Sequence, residues 1–226
     1  MFLLTAATDL EMTPFLAACR QKEVMHLVTG IGPVEAAVRL ATWLRDHAGE
    51  IHGVINFGVA GAYRQPEAPR LLDICLAERE VLGDLGIWLG DRIEPVGGVG
   101  LRPPDTFTLD ARLLTGAAQA LASHQIPFFR GTFVTVSCVS GTEDRGAMLA
   151  RQHGGMCENM EGAAVARVCQ EFTLPCLELR CISNLVEDRD PSRWRLREAC
   201  RRAGEVTALV LPCLLTQTPG RQEAQP

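Results

Sequence analysis

The chain has 226 residues, of which 47% are hydrophobic and 22% charged, enough for one sizeable core. Its formal net charge of −5 gives neither nucleic acid nor an anionic membrane surface an electrostatic claim on it. No stretch approaches the ~20 apolar residues that span a bilayer, so small-molecule chemistry is the class left in favour.

Nine cysteines are scattered singly, with no CxxC pair and no histidine at zinc-ligand spacing. They read as reduced thiols packed as small hydrophobes in a cytoplasmic protein, with no metal and no organic cofactor implied. The opening MFLLTAATDLEM lacks the basic start of a signal peptide.

Phe2 to Ala7 is an uncharged apolar run that predicts a buried strand. Thr8 and Asp9 then supply cap-type residues, and Glu11 falls in the first turn of a helix reaching about Arg20. An acidic residue there can simply stabilise a helix N-terminus. It can also be a carboxylate at the C-terminal end of a strand, where open α/β sheets hold their ligands. Val24 to Thr29 predicts a second strand, ending in Gly30-Ile31-Gly32-Pro33 before a helix from Val34 to about His47. Such a turn can present backbone N–H groups to an anion, although tight packing explains its glycines equally well.

Val54 to Phe57 predicts a third strand followed by a small-residue turn, Gly58 to Ala62. That turn has neither the GxGxxG spacing nor a P-loop lysine. Residues 64–70 read as a surface loop, Leu71 to Leu82 as strand, and 83–105 as a glycine- and proline-rich segment that could cover a site. Leu109 to Ser123 reads as helix, Phe128 to Val139 as strand, and Thr142 as the cap of a short helix through Gln152. Met156 to Asn159 is a brief strand, and Met160 begins a helix of small apolar residues with little polar face. Leu174 to Ile182 reads as the last strand, and Arg193 to about Thr216 as a long amphipathic helix. The alternation predicts a mostly parallel sheet flanked by helices in one domain, 1–216, with a disordered polar tail, 217–226.

Four segments together with Glu11 resemble the purine nucleosidase and nucleoside phosphorylase superfamily. They are GIGPVEAA at 30–37, NFGVAGA at 56–62, NMEGAAVARVC at 159–169 and RCISN at 180–184. They are most similar to its methylthioadenosine/S-adenosylhomocysteine nucleosidase branch. The resemblance implies an α/β fold, a three-layer α/β/α sandwich around a mixed, partly barrel-like sheet, in a protein that forms homodimers or higher homo-oligomers. It implies that Glu11 engages the attacking water, Met160 packs on a ribose and Glu161 binds the ribose hydroxyls. It also implies that Arg180 supports the site, while Val59, Cys138 and Val139 line it near the base.

One departure from that branch is informative. Where its RxIS motif continues with aspartate, this chain has Asn184. An asparagine amide offers one NH₂ donor and one carbonyl acceptor. The donor suits a 6-oxo group, and the oxygen suits a protonated N7, so Asn184 favours hypoxanthine, and after it guanine, over adenine as the leaving base. ENMEGAA followed by ISNLVEDRD, with Trp194 nearby, resembles the futalosine hydrolase family. That likeness implies a nucleoside with an aromatic carboxylate on its 5′ extension, on the route to menaquinone. Arg189, Arg193 and Arg195 are the candidate cations for that carboxylate. An adenine- or inosine-type nucleosidase or phosphorylase is the alternative within enzymes, and a noncatalytic nucleoside-binding protein the alternative outside them.

Overall fold

A computed structural model describes residues 1–21, 24–97 and 103–217. The polar tail beyond 217 and part of the 83–105 segment lie outside the described residues. The apolar run at the N-terminus forms β1 (Phe2–Ala6), buried along its whole length. Thr8 then opens α1 (Asp9–Ala18). β2 (Met25–Val28) leads through the glycine turn into α2 (Pro33–His47), with proline at its first position.

β3 (Gly53–Tyr63) and β4 (Ile74–Leu82) follow, then a small hairpin of β5 (Ile87–Trp88) and β6 (Ile93–Glu94). β7 (Thr106–Thr108) precedes α3 (Ala111–Ser123), which is capped by Asp110 accepting from Arg112 N and Leu113 N. β8 (Phe128–Thr135), α4 (Glu143–His153), β9 (Gly155–Asn159), α5 (Gly162–Glu171), β10 (Cys176–Val186) and α6 (Leu196–Gln217) complete the chain.

Five strands close on themselves: β10 pairs with β4, β4 with β8, β8 with β9, β9 with β3, and β3 again with β10. β1 and β2 extend the sheet from β3 as parallel neighbours. The sheet is mostly parallel, as the alternation predicts, but mixed and partly barrel-like, because β4 runs antiparallel to β10 and to β7, and β9 antiparallel to β3. Closure also removes the exposed edges that an open sheet would leave on these strands.

Helices cover the two faces. α1, α3 and α6 pack residues such as Phe15, Leu121 and Leu211 onto one side of the sheet. α2 and α5 pack Leu40, Leu44, Val165 and Cys169 onto the other. α4 closes one end against Tyr63, Val134 and Val186. No helix among the described residues is long and apolar enough to cross a membrane. All nine cysteines are free.

Two strands run further than local pattern predicts. Gly58 to Ala62 is not a turn but the second half of β3, because β10 pairs with it throughout and β9 pairs with its end. Partners on two sides override the weak strand preference of small residues. β10 likewise continues past Ile182 to Val186, so Ser183 and Asn184 lie within the strand rather than beyond it.

Candidate functional site

Glu11 enters α1 facing inward and is buried. Its Oε2 accepts from Thr8 N (3.0 Å) and Thr8 Oγ1 (2.8 Å), and its Oε1 accepts from Val59 N (3.1 Å) on β3. Three donors hold a carboxylate with about four lone-pair sites, so one acceptor site remains for a water or ligand hydroxyl. Burial raises the Glu11 carboxyl above its ordinary value, and Arg180 and the Thr8 hydroxyl act against that rise. The adjacent backbone is glycine for a steric reason. A β-carbon on Gly58 would collide with Glu11 Oε1 and stand 2.9 Å from Arg180 Nη1.

Glu161 sits at the entrance to α5 and lines the same pocket as Glu11. Its Oε1 accepts from Gly32 N (3.0 Å), and its Oε2 pairs with Arg180 Nη1 (3.4 Å). Gly30 and Gly32 have φ of 86° and 92°, a region that L side chains rarely adopt. The glycine turn after β2 thus does present a backbone N–H to an anion, and that anion is the protein's own carboxylate. Arg180, only 1% exposed, also donates from Nη1 to Val59 O (3.2 Å) and from Nε to Glu178 Oε1 (2.8 Å). Burial opposes its charge, but Glu178, Glu161 and Glu11 outweigh that cost and hold it firmly protonated.

Asn184 reaches the same cavity through a β-bulge. The β10–β3 register pairs Ile182 with Ala60 and Asn184 with Gly61, leaving Ser183 as the extra residue. Consecutive residues of a regular strand point to opposite faces. The bulge lets both Ser183 and Asn184 line one cavity. Ser183 Oγ donates to Asn184 Oδ1 at 2.8 Å, which sets the amide orientation. Asn184 Nδ2 then has only a 3.3 Å contact to Leu185 O and is available as a donor to a ligand.

These groups surround a cavity of about 420 Å³, within the range of small-molecule sites. Glu11, Val59, Val139, Met160, Glu161, Arg180 and Asn184 all line it. Cys138 does not. It is exposed beside the cavity, its N–H 3.4 Å from Asp84 Oδ2 and its carbonyl accepting from Arg145 Nη2. Its neighbour Val139 takes the wall position instead.

The cavity lining also includes the exposed apolar residues Leu10, Ile31 and Leu196, together with Trp194 and Arg189. Of the three candidate arginines, Arg193 is paired to Glu187 (2.6 Å) and Arg195 to Glu198. Arg189 instead lies over the Trp194 ring, 4.6 Å from its centroid, with its charge facing no carboxylate among the described residues. Glu158 also lines the cavity, but Ser140 N (2.8 Å) and Ser140 Oγ (2.7 Å) already bind both its oxygens.

Two acids that the sequence reading did not single out, Glu80 on β4 and Glu178 on β10, lie buried behind Glu161. The signal was there in ICLAEREVL and CLELRCISN, where a charged residue interrupts an apolar run on a strand covered from both sides. Among the described residues, no group of three or more His, Cys, Asp or Glu is placed to hold a metal ion.

Residues 12–214 match the phosphorylase superfamily. The chain is 35% identical over 214 residues to the futalosine hydrolase of Thermus thermophilus, covering 88% of this chain and 90% of that protein. It is 28% identical over 200 residues to a 5′-methylthioadenosine/S-adenosylhomocysteine nucleosidase of Shewanella pealeana, covering 87% of this chain and 82% of that one. Its fold superposes on the futalosine hydrolase of Helicobacter pylori with a TM-score of 0.79 at 20% identity, covering 96% of this chain and 97% of that chain. Sequence and fold together place the chain in the phosphorylase superfamily, within the family of the futalosine hydrolases.

Proposed function

We propose that the protein hydrolyses the N-ribosidic bond of futalosine and releases hypoxanthine. The observation that carries this is the meeting of three groups in one cavity: a buried carboxylate with a vacant acceptor site (Glu11), a clamped carboxylate (Glu161) and an oriented amide donor (Asn184). The kinship with proteins named futalosine hydrolase supports it.

The chemistry follows from charge. In an oxocarbenium-like transition state the C1′–N bond lengthens, positive charge grows on the sugar and the electron pair passes to the purine. Glu161 binds the ribose hydroxyls with its remaining acceptor capacity and fixes the sugar between the cavity walls, with Met160 beneath it. Glu11 accepts a proton from a water whose oxygen forms the new bond to C1′. The purine leaves with a proton gained at N7 from solvent. Asn184 Nδ2 donates to the 6-oxo group and Oδ1 accepts from the protonated N7, relieving the charge on the departing base. Phosphate is disfavoured as the nucleophile, because Glu11 and Glu161 present two buried carboxylates and a phosphate dianion would be repelled. The 5′ extension runs along Leu10, Ile31 and Leu196, and its carboxylate meets Arg189.

Incubation with futalosine in phosphate-free buffer should release free hypoxanthine. No release, release only with phosphate, or faster turnover of methylthioadenosine would overturn the assignment. Glu11→Gln should lower kcat by about 10²–10⁴-fold with little change in KM. Because Glu11 must be ionised to take a proton and its carboxyl is raised, wild-type kcat/KM should fall with acid through a pH above 4.5. A pH profile that stays flat through that region would remove Glu11 from the reaction. Asn184→Asp should shift the ratio of kcat/KM for 6-oxopurine over 6-aminopurine nucleosides by about tenfold or more toward the amino base. Arg189→Ala should raise KM for futalosine by about tenfold and leave inosine unaffected; equal effects on both substrates would argue against a carboxylate contact.

A further inference from the structure

Two carboxylates that no step above uses lie behind Glu161, Glu80 and Glu178, each 0% exposed. Their oxygens can be accounted for one at a time. Glu80 Oε2 accepts from Thr135 Oγ1 (2.7 Å) and Glu80 Oε1 from Asn159 Nδ2 (2.6 Å). Glu178 Oε1 accepts from Arg180 Nε (2.8 Å). Glu178 Oε2 has no donor among the described residues. It faces Glu80, close enough for the two carboxyl groups to hydrogen-bond. Both crowd the same point, since a β-carbon on Gly162 would collide with Glu80 Oε1 and press on Glu178 Oε2. The fourth oxygen therefore meets another carboxyl oxygen in a fully buried site, and a proton between them satisfies that contact.

We infer that Glu80 and Glu178 share one proton, carried on Glu80 Oε1 and donated to Glu178 Oε2, and that this acid pair positions Glu161. Two arms connect them. Along one, Glu178 holds Arg180 Nε while the other end of the guanidinium reaches Glu161. Along the other, Glu80 holds the Asn159 amide, whose Oδ1 accepts from Glu161 N (2.9 Å) and Gly162 N (2.7 Å). With one proton in the pair, the negative charge rests on Glu178 against Arg180 Nε, and the neutral Glu80 still accepts from Thr135 Oγ1 and Asn159 Nδ2.

Burial, and then the opposing carboxylate, raise the Glu80 carboxyl well above its ordinary value. Burial also raises Glu178, against the pull of Arg180. The other titratable groups around the pair are Arg180, Glu161, Cys157 and Cys176. Burial keeps the Cys157 thiol neutral; the Cys169 hydrogen bond, then burial, keep that of Cys176 so. The linkage has a definite sign. The folded chain keeps a proton that the unfolded chain loses near pH ~4.3, so stability falls as pH rises from there toward the folded value.

Denaturant unfolding of wild type, Glu178→Gln and Glu80→Gln between about pH 5 and about pH 8 tests the pair. Glutamine at 178 meets every contact without the shared proton: its oxygen faces Arg180 and its NH₂ faces Glu80. The wild-type folding constant should fall with pH by up to about tenfold per unit more steeply than that of Glu178→Gln. Glu80→Gln should be the worse-folded variant, since one oxygen must then serve two donors. In nucleoside binding, Glu178→Ala should raise KM by about tenfold or more and Glu178→Gln should recover most of it. Infrared difference spectra of glutamate-labelled wild type should carry a protonated-carboxyl band that Glu178→Gln lacks. Equal pH slopes, indifference between the two glutamine variants, or no such band in wild type would overturn the proposal. The KM comparison rests on the nucleoside reading above; the unfolding and infrared measurements do not, so failure of one is distinguishable from failure of the other.

Discussion

A single guanidinium organises the interior. Arg180 is buried within reach of Glu161 and Glu178, with Glu11 close by, and it spans from the floor of the cavity to the acids beneath it. A buried charge is costly unless every hydrogen-bonding position is met. Here Nε meets Glu178, Nη1 meets the Val59 carbonyl, and the fork meets Glu161. Moving any of these partners would leave an uncompensated charge, so the strands that carry them are held in one relative placement. The residues of the proposed reaction inherit that placement.

The barrel explains how acids from distant parts of the chain come together without a dedicated loop. β3 is the common neighbour, pairing with β1, β9 and β10. Its small residues serve that position: glycine at 58 makes room for Glu11 and Arg180, and glycine at 61 lets Asn184 approach. The bulge at Ser183 then turns two successive side chains into one cavity. Arg189 and Trp194 reach the cavity from outside this framework, on the segment that follows β10 before α6 begins.

Much of this was legible in the sequence, and the gaps have physical causes. Capping chemistry and apolar runs located the six helices and the longer strands, because those signals are local, but not the two- and three-residue strands β5, β6 and β7. The mostly parallel pairing was legible, but the antiparallel contacts that close the barrel were not, since they depend on which strands meet across the sheet and not on the strands themselves. Gly58 to Ala62 read as a turn because its composition carries no record of the partners that extend it. Glu11, Glu161 and Asn184 were legible through a family resemblance, and the structure brings all three to one cavity. The choice among Arg189, Arg193 and Arg195 was not, because it turns on which arginines the carboxylates Glu187 and Glu198 already occupy. Glu80 and Glu178 lie far apart in the chain, and their meeting is a product of barrel closure.

The most direct test of this account is a crystal structure of Glu11→Gln with intact futalosine bound. The account predicts the ribose hydroxyls on Glu161, the 6-oxo group of the base on Asn184 Nδ2, and the carboxylate of the 5′ extension beside Arg189. A nucleoside whose base lies away from Asn184, or whose ribose does not touch Glu161, would contradict it.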